Sequence, residues 1–347
     1  MASDRHGGGS VPTTILVTGA AGFIGSHFVR HWRTRHPADR VVAVDALTYA
    51  GNRENLADVE PGVVFRQADI RDQDAIADLL SEHRVDVVVN FAAESHNSYA
   101  VLRPVEFFET NVAGTVALLE AVRRTGVGRF HHISTCEVYG DLALDSPDSF
   151  TEESPYRPRT PYNASKAGAD HAVRAYGLTY DLPVTITNCA NNFGSHQFPE
   201  KVIPLFTTNA LRGLPLPLYE SSHNRREWLH VSDHCAAIEA VLDRGRIGAT
   251  YNVGSGVEAD VETIADLVLD HLGLSPDLKV TVPDRPSHDR RYLLDSALVR
   301  GELGWRPSIA FEEGLRRTID WYRDNRAWWE PLIGRSPVAE QTAWAGR

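Results

Sequence analysis

The chain has 347 residues, 42% of them hydrophobic and 23% charged, which excludes wholesale disorder and suffices for one large core with a smaller appended lobe. Asp and Glu number 46 against 35 Lys and Arg, and the net charge of -11 argues against a nucleic-acid-binding surface. Three scattered cysteines, Cys136, Cys189 and Cys235, suit a reducing cytoplasm and form neither a disulfide framework nor a metal cluster, so no metal is expected; no apolar run is long enough to span a membrane.

Residues 1–12, opening MASDRHGGGS, have no apolar core and read as a flexible leader. From 13 to 182, short apolar runs at 14–17 (TILV), 41–44 (VVAV), 63–65, 87–89 (VVV) and 130–133 alternate with helical patterns. The runs are β-branched and continuous, as expected for parallel strands buried on both faces. The segment 107–122 (FFETNVAGTVALLEAV) repeats apolar residues every three or four positions and is predicted as helix. Repeated β–α units predict an α/β fold with a doubly wound parallel sheet, which later segments complete. Past 182 the chain is proline-rich, with helices predicted at 231–242, 261–272 and 311–325. Residues 183–332 are read as a smaller C-terminal α/β lobe that binds substrate, and 333–347 as a polar tail.

The first run leads into Thr18-Gly19-Ala20-Ala21-Gly22-Phe23-Ile24-Gly25, which opens the first helix. Glycines let backbone approach a pyrophosphate, and the helix start offers it free N–H groups. Asp45 follows at the end of the second run, placed to accept ribose hydroxyls, and Ala46 after it offers no cation to a 2′-phosphate. The pattern predicts a Rossmann sheet that binds NAD rather than NADP.

Tyr162 and Lys166 are four residues apart, on one face of a helix that begins after Pro161. An ammonium beside a phenol favours phenolate, so Tyr162 can act as a base. The fifth run ends in Ser134-Thr135-Cys136-Glu137-Val138-Tyr139-Gly140, where Thr135 can hydrogen-bond a substrate hydroxyl. Glycine turn, strand end and Tyr–Lys pair together resemble the extended short-chain dehydrogenases/reductases.

Further motifs narrow the resemblance to the dTDP-glucose 4,6-dehydratase family. They are Asp45-Ala46-Leu47-Thr48-Tyr49-Ala50-Gly51-Asn52, Ala92-Ala93-Glu94-Ser95-His96, Asn188-Cys189-Ala190-Asn191-Asn192-Phe193-Gly194, Phe198-Pro199-Glu200-Lys201, and the segment from Asp284 to Tyr292. The resemblance covers nearly the whole chain. It implies NAD contacts at Gly19, Gly22, Phe23, Ile24, Gly25, Asp45, Ala46, Leu47, Thr48, Asp69, Ile70, Phe91, Ala92, Ala93, Ser95, Thr110, Tyr162, Lys166 and Asn192. It implies contacts to a nucleoside-diphosphate sugar at Ser95, His96, Thr135, Asn191, Lys201, Arg226, Asp284, Arg285, His288 and Tyr292.

In the implied lyase reaction NAD takes a hydride from sugar C4 while Tyr162 takes the hydroxyl proton. Glu137 then removes the acidified C5 proton, the C6 hydroxyl leaves, and the hydride returns to C6. The family has Asp as the proton donor where this chain has Cys136, a thiol that is protonated at neutral pH and is expected to stand in as a weaker catalytic donor. It also has Val-Asp-Arg-Ser where this chain has Asn97-Ser98-Tyr99-Ala100, a Gly-Asp-Gly turn at Tyr219-Glu220-Ser221-Ser222, and Asn at Val261. These departures leave open a variant that returns the hydride to C4 (a 5,6-dehydratase) and a 4-epimerase, with a non-catalytic NAD sensor as the remaining alternative. A homodimer is expected by resemblance, through a four-helix bundle of segments 107–125 and 161–180.

Overall fold

In the computed structural model residues 12–338 are described; the expected leader before residue 12 and the expected tail beyond 338 lie outside the described residues. The strands are β1 (Thr14–Thr18), β2 (Arg40–Asp45), β3 (Val63–Gln67), β4 (Val87–Asn90), β5 (Arg129–Thr135), β6 (Val184–Cys189), β7 (Asn191–Phe193), β8 (Leu216–Tyr219), β9 (Arg225–His230), β10 (Thr250–Val253), β11 (Glu258–Asp260) and β12 (Lys279–Val282). Seven pair in parallel in the order β10-β6-β5-β4-β1-β2-β3. The five apolar runs are β1 to β5, and β6 and β10 complete the sheet from beyond residue 182.

The first half carries helices α1 (Phe23–Arg35), α2 (Gln73–His83), α3 (Asn97–Leu102), α4 (Pro104–Phe108), α5 (Thr115–Thr125) and α6 (Pro161–Tyr180). The second half carries α7 (Val202–Leu211), α8 (Val231–Arg244), α9 (Val261–Leu272), α10 (Ala297–Leu303), α11 (Phe311–Asp324) and α12 (Arg326–Trp329). Ile15, Val17, Val41 and Ala43 pack with Phe28 of α1 and Ile238 of α8. Leu16, Val42 and Val44 pack on the opposite face with Ile76 of α2, Leu118 of α5 and Val173 of α6. Helices on both faces explain why the strands read as unbroken apolar runs.

The segment 107–122 departs from the expected regular helix. α4 ends at Phe108, Glu109–Gly114 winds as a π-turn, and α5 starts at Thr115. The wide turn brings the Asn111 amide to Ser165 Oγ (2.8 Å) and to the Glu94 carbonyl (2.9 Å), and it sets Thr110 on the cavity wall. α6 is started by Pro161 and by Thr160, whose hydroxyl accepts from the Asn163 N–H at 3.2 Å.

Strand order reverses at β1, so the chains leaving β1 and β4 part and open a crevice at the carboxyl ends of the strands. Thr18 Oγ1 donates to Asn90 Oδ1 (2.6 Å) across that point. β7, β9 and β11 form a second sheet, and β8 pairs with β12. Phe193, Phe206, Trp228, Ile264 and Ile319 make a separate core there. A cavity of about 820 Å³ reaches from the glycine turn to Tyr292. Among the described residues, no helix is long and apolar enough to cross a membrane, and no cluster of His, Cys, Asp or Glu could hold a metal ion.

Candidate active site

Backbone builds the dinucleotide end. The chain turns after β1 at Gly19, φ +62°, where a Cβ would stand 2.7 Å from the Ala92 nitrogen; at Gly25 a Cβ would collide with the Gly19 carbonyl oxygen. Gly22 caps α1 without a side-chain acceptor, so the first-turn N–H groups at Phe23 and Ile24 remain available at the cavity. This donor set fits a pyrophosphate, drawn there by the positive end of the helix. Asp45 is buried, and its carboxylate oxygens accept from the N–H groups of Ala21 (2.9 Å) and Leu47 (2.8 Å). Burial raises its pKa, the two bonds oppose that, and each oxygen keeps acceptor capacity for a ribose hydroxyl. Ala46, Thr48, Asp69, Ile70, Phe91, Ala92, Ala93, Ser95, Thr110 and Asn192 line the same cavity. Leu47 does not: it adopts φ +54° to donate to Asp45, and its side chain packs against the core under α1.

At the end of β5, Thr135, Glu137, Tyr162 and Lys166 reach the cavity together. Thr135 adjoins the Tyr162 phenol and acts to lower its pKa. Lys166 Nζ donates to the Ile133 carbonyl (2.7 Å) and lies 3.2 Å from His132 Nε2. Burial lowers the Lys166 pKa to about 8, opposed by the Asp170 carboxyl. The Tyr162 phenol is held well above its ordinary value, first by burial and then by the Glu137 charge. In this geometry the ammonium faces a carbonyl rather than the phenol, so the expected depression of the Tyr162 pKa by Lys166 is not seen. Glu137 is enclosed, and burial raises its pKa while a hydrogen bond from Asn97 (2.9 Å) opposes the rise.

Cys136 is placed differently from its expected role. It is 1% exposed, packs with Val138, Ala167, Cys189 and Tyr251, and is absent from the cavity wall. In the short helical turn Cys136–Tyr139 successive side chains point about 120° apart, so Glu137 faces the cavity while Cys136, Val138 and Tyr139 are buried. Burial and the neighbouring Glu137 push the thiol well above its ordinary pKa, so it stays protonated.

At the far end Asn191, Lys201, Arg226, Arg285, His288 and Tyr292 line the cavity beside Ser95 and His96. Lys201 Nζ donates to the Ser95 carbonyl (2.9 Å). Arg226 is buried, donates to the carbonyls of Arg225 and Asp289 (2.8 Å each), and lies 4.8 Å from the Tyr292 ring. Burial, then Arg285 and Arg226, take the His288 pKa down to about 2. Arg226 and Arg285 beside a neutral imidazole give this end of the cavity positive charge. Asp284 is not on the wall; its Oδ1 accepts from the Ser221 N–H (3.0 Å) and hydroxyl (2.8 Å), which shapes the loop instead.

Several cavity residues were assigned no individual contact from the sequence. Tyr49 donates to Glu200 (2.8 Å), and Asn97 touches Glu137. Trp328, Leu332 and Pro337 close one side, with Trp328 Nε1 donating to Asn55 Oδ1 (3.0 Å) and Ser336 Oγ to Glu200 Oε2 (2.8 Å). The adjacent tryptophans Trp328 and Trp329 were the available signal that this stretch is anchored.

A crevice at a switch point, a glycine turn beneath it and a Tyr–Lys helix over β5 define a dehydrogenase-type enzyme of the short-chain class. Residues 16–318 match the family model described as GDP-mannose 4,6 dehydratase, and the chain belongs to the extended short-chain dehydrogenase/reductase family. It is 51% identical over 319 residues to dTDP-glucose 4,6-dehydratase of Mycobacterium tuberculosis (strain ATCC 25618 / H37Rv), covering 92% of this chain and 96% of that protein. The Streptomyces antibioticus dTDP-glucose 4,6-dehydratase is 49% identical over 326 residues, 92% of this chain and 96% of that protein. The solved structure of DesIV, a dTDP-glucose 4,6-dehydratase from Streptomyces venezuelae with NAD and dTDP bound, superposes with TM-score 0.89 at 49% identity, covering 92% of this chain and 100% of that one. The Thermus thermophilus UDP-glucose 4-epimerase complex with NAD gives 0.84 at 33% identity, covering 90% and 100%.

Proposed function

We propose that the chain is an NAD-dependent dTDP-glucose 4,6-dehydratase, a lyase that forms the 4-keto-6-deoxy sugar nucleotide and releases water. The observation that carries this reading is the convergence of Thr135, Tyr162 and Glu137 on one cavity, with the glycine turn at one end and Arg226, Arg285 and Lys201 at the other. The glycine turn, Asp45 and the first turn of α1 would hold NAD, which when bound supplies reversible hydride acceptance. The cationic end would hold the nucleoside diphosphate.

Tyr162 takes the proton of the C4 hydroxyl as that carbon is oxidised; its phenol must be ionised to do so, which Thr135 favours and which burial and the Glu137 charge oppose. Glu137 takes the C5 proton, made acidic by the new ketone. The C6 hydroxyl must leave with a proton, and Glu137, now protonated and on the wall, holds one to give. Cys136 stands where the resemblance puts an acidic Asp. Its thiol is protonated but faces the core, which supports Glu137 serving both steps. The balance would close with return to C6 of the hydride that bound NAD had taken from C4, and with delivery to C5 of a proton equivalent to the one Tyr162 took, which restores both residues.

The division into a cofactor domain, 13–182, and a substrate lobe, 183–332, fits the two ends of this cavity. Exposed Val105, Phe108, Leu178 and Tyr180 on α4 and α6 support a homodimer through that face, and the free thiols Cys136, Cys189 and Cys235 suit a cytoplasmic enzyme. Proton NMR of purified protein incubated with dTDP-glucose, UDP-glucose and UDP-N-acetylglucosamine tests the reading. A C6 methyl signal from dTDP-glucose is expected. A 5,6-alkene signal would assign the hydride to C4, and no conversion of any of the three would reject the proposal.

A further inference from the structure

Asn97 opens α3 at the edge of the cavity. Its side-chain Nδ2 donates to Glu137 Oε2 at 2.9 Å, and its Oδ1 accepts from the Thr160 hydroxyl, also at 2.9 Å. Thr160 is itself committed. Its oxygen accepts from the Asn163 N–H as the cap of α6, so its proton is the one free to point at Asn97. That donation decides which end of the Asn97 amide faces Glu137. With the oxygen taken by Thr160, the NH2 group must point at the carboxylate. The reverse orientation would set a carbonyl oxygen against a carboxylate and two donors against one hydroxyl proton.

We propose that Asn97 is a positioning residue that holds the Glu137 carboxylate ionised and aimed for removal of the C5 proton, with its amide locked by Thr160, two residues before Tyr162. The inference rests on the functional reading above and deepens it. The chain Asn163 N–H, Thr160, Asn97, Glu137 ties the base to the start of the helix that carries Tyr162. The two proton-transfer groups are therefore registered to one another through side chains and not only through the sheet.

Other groups act on Glu137 from the elements packed around it. Arg226 and Arg285 favour its charge, and Asp289 opposes it. Cys136, Cys189, Tyr162 and Tyr292 are uncharged neighbours at neutral pH, each held above its ordinary pKa. The hydrogen bond from Asn97 to the Glu137 carboxylate favours the ionised form.

Asn97→Asp keeps an acceptor for Thr160 and size at the site, and a carboxylate suits the first turn of a helix. It replaces the donor to Glu137 with a like charge. Asn97→Ala removes both bonds without adding charge. In each variant, three readings against wild type test the inference: single-turnover reduction of bound NAD by dTDP-glucose, deuterium uptake at C5 from heavy water, and a carbon-13 NMR titration of the Glu137 carboxyl assigned with Glu137→Gln. The expected result is C5 exchange reduced roughly tenfold at about pH 7 and recovering as pH rises, the Glu137 midpoint raised by about one unit, and C4 oxidation changed less than about threefold. Equal loss of both chemical steps, or a Glu137 midpoint unmoved in both variants, overturns it. If wild-type protein converts none of the sugar nucleotides, the functional reading fails, and the carboxyl titration still decides the role of Asn97.

Discussion

Lys166→Met is expected to make the protein more stable while abolishing turnover. The ammonium is 4% exposed, and burial takes its pKa from 10.5 to about 8. At about 1.36 kcal/mol per unit, the charged lysine destabilises the fold by about 3 kcal/mol below pH 8. Methionine fills the space of the lysine stem but leaves the Ile133 carbonyl without its donor, which costs about 1–2 kcal/mol. The net gain is about 1–2 kcal/mol. The folded-state pKa lies below the unfolded one, so between the two the unfolded chain binds more protons and wild-type stability climbs with pH. By about pH 9.5 the penalty has shrunk to about 1 kcal/mol, and the advantage of the variant should vanish. Urea unfolding of cofactor-free wild type and variant at about pH 6.5 and about pH 9.5 measures this directly. A variant less stable than wild type by the same amount at both pH values would refute the burial argument.

Three further outcomes follow from the site. Glu137→Gln should retain reduction of bound NAD by substrate yet lose C5 deuterium exchange roughly a hundredfold or more, whereas Cys136→Ala, altering a core thiol, should stay within about tenfold of wild type in both. Gly25→Ala, whose Cβ would strike the Gly19 carbonyl, should emerge from purification without the NAD absorbance that wild type carries; equal cofactor content in the two would count against the glycine turn as the dinucleotide site. Wild type is expected to give a dimeric mass in light scattering and Leu178→Glu, at a position 87% exposed, a monomeric one; an equal mass for the two removes α6 from the interface.

The first five strands were legible because helices cover both faces of the sheet, leaving no polar alternation to confuse the pattern. The short strands β7, β8, β11 and β12 were not, since three or four residues are too few to carry a period. The π-turn at Glu109–Gly114 was invisible for the opposite reason: apolar spacing runs through it, and the extra residue in the turn is set by tertiary contacts of Asn111 and Gly114. Nearly every expected site residue lines one cavity. Leu47, Cys136 and Asp284 do not, because a motif specifies which residues are neighbours along the chain and not which way each side chain turns. Asn97 was read only as a departure in the sugar pocket; its contact with Glu137 spans 40 positions and has no signature in spacing.

Trp328, Leu332 and Pro337 form part of the cavity wall, and they are among the last described residues of the chain. A nascent polypeptide that has emerged as far as α11 already has its glycine turn, Asp45, Tyr162 and Lys166 in sequence, but its groove lacks a side. One side of the cavity therefore depends on the docking of Trp328 on Asn55, a contact between residues 273 positions apart. Changes near residue 330 would alter that wall while leaving the central sheet intact.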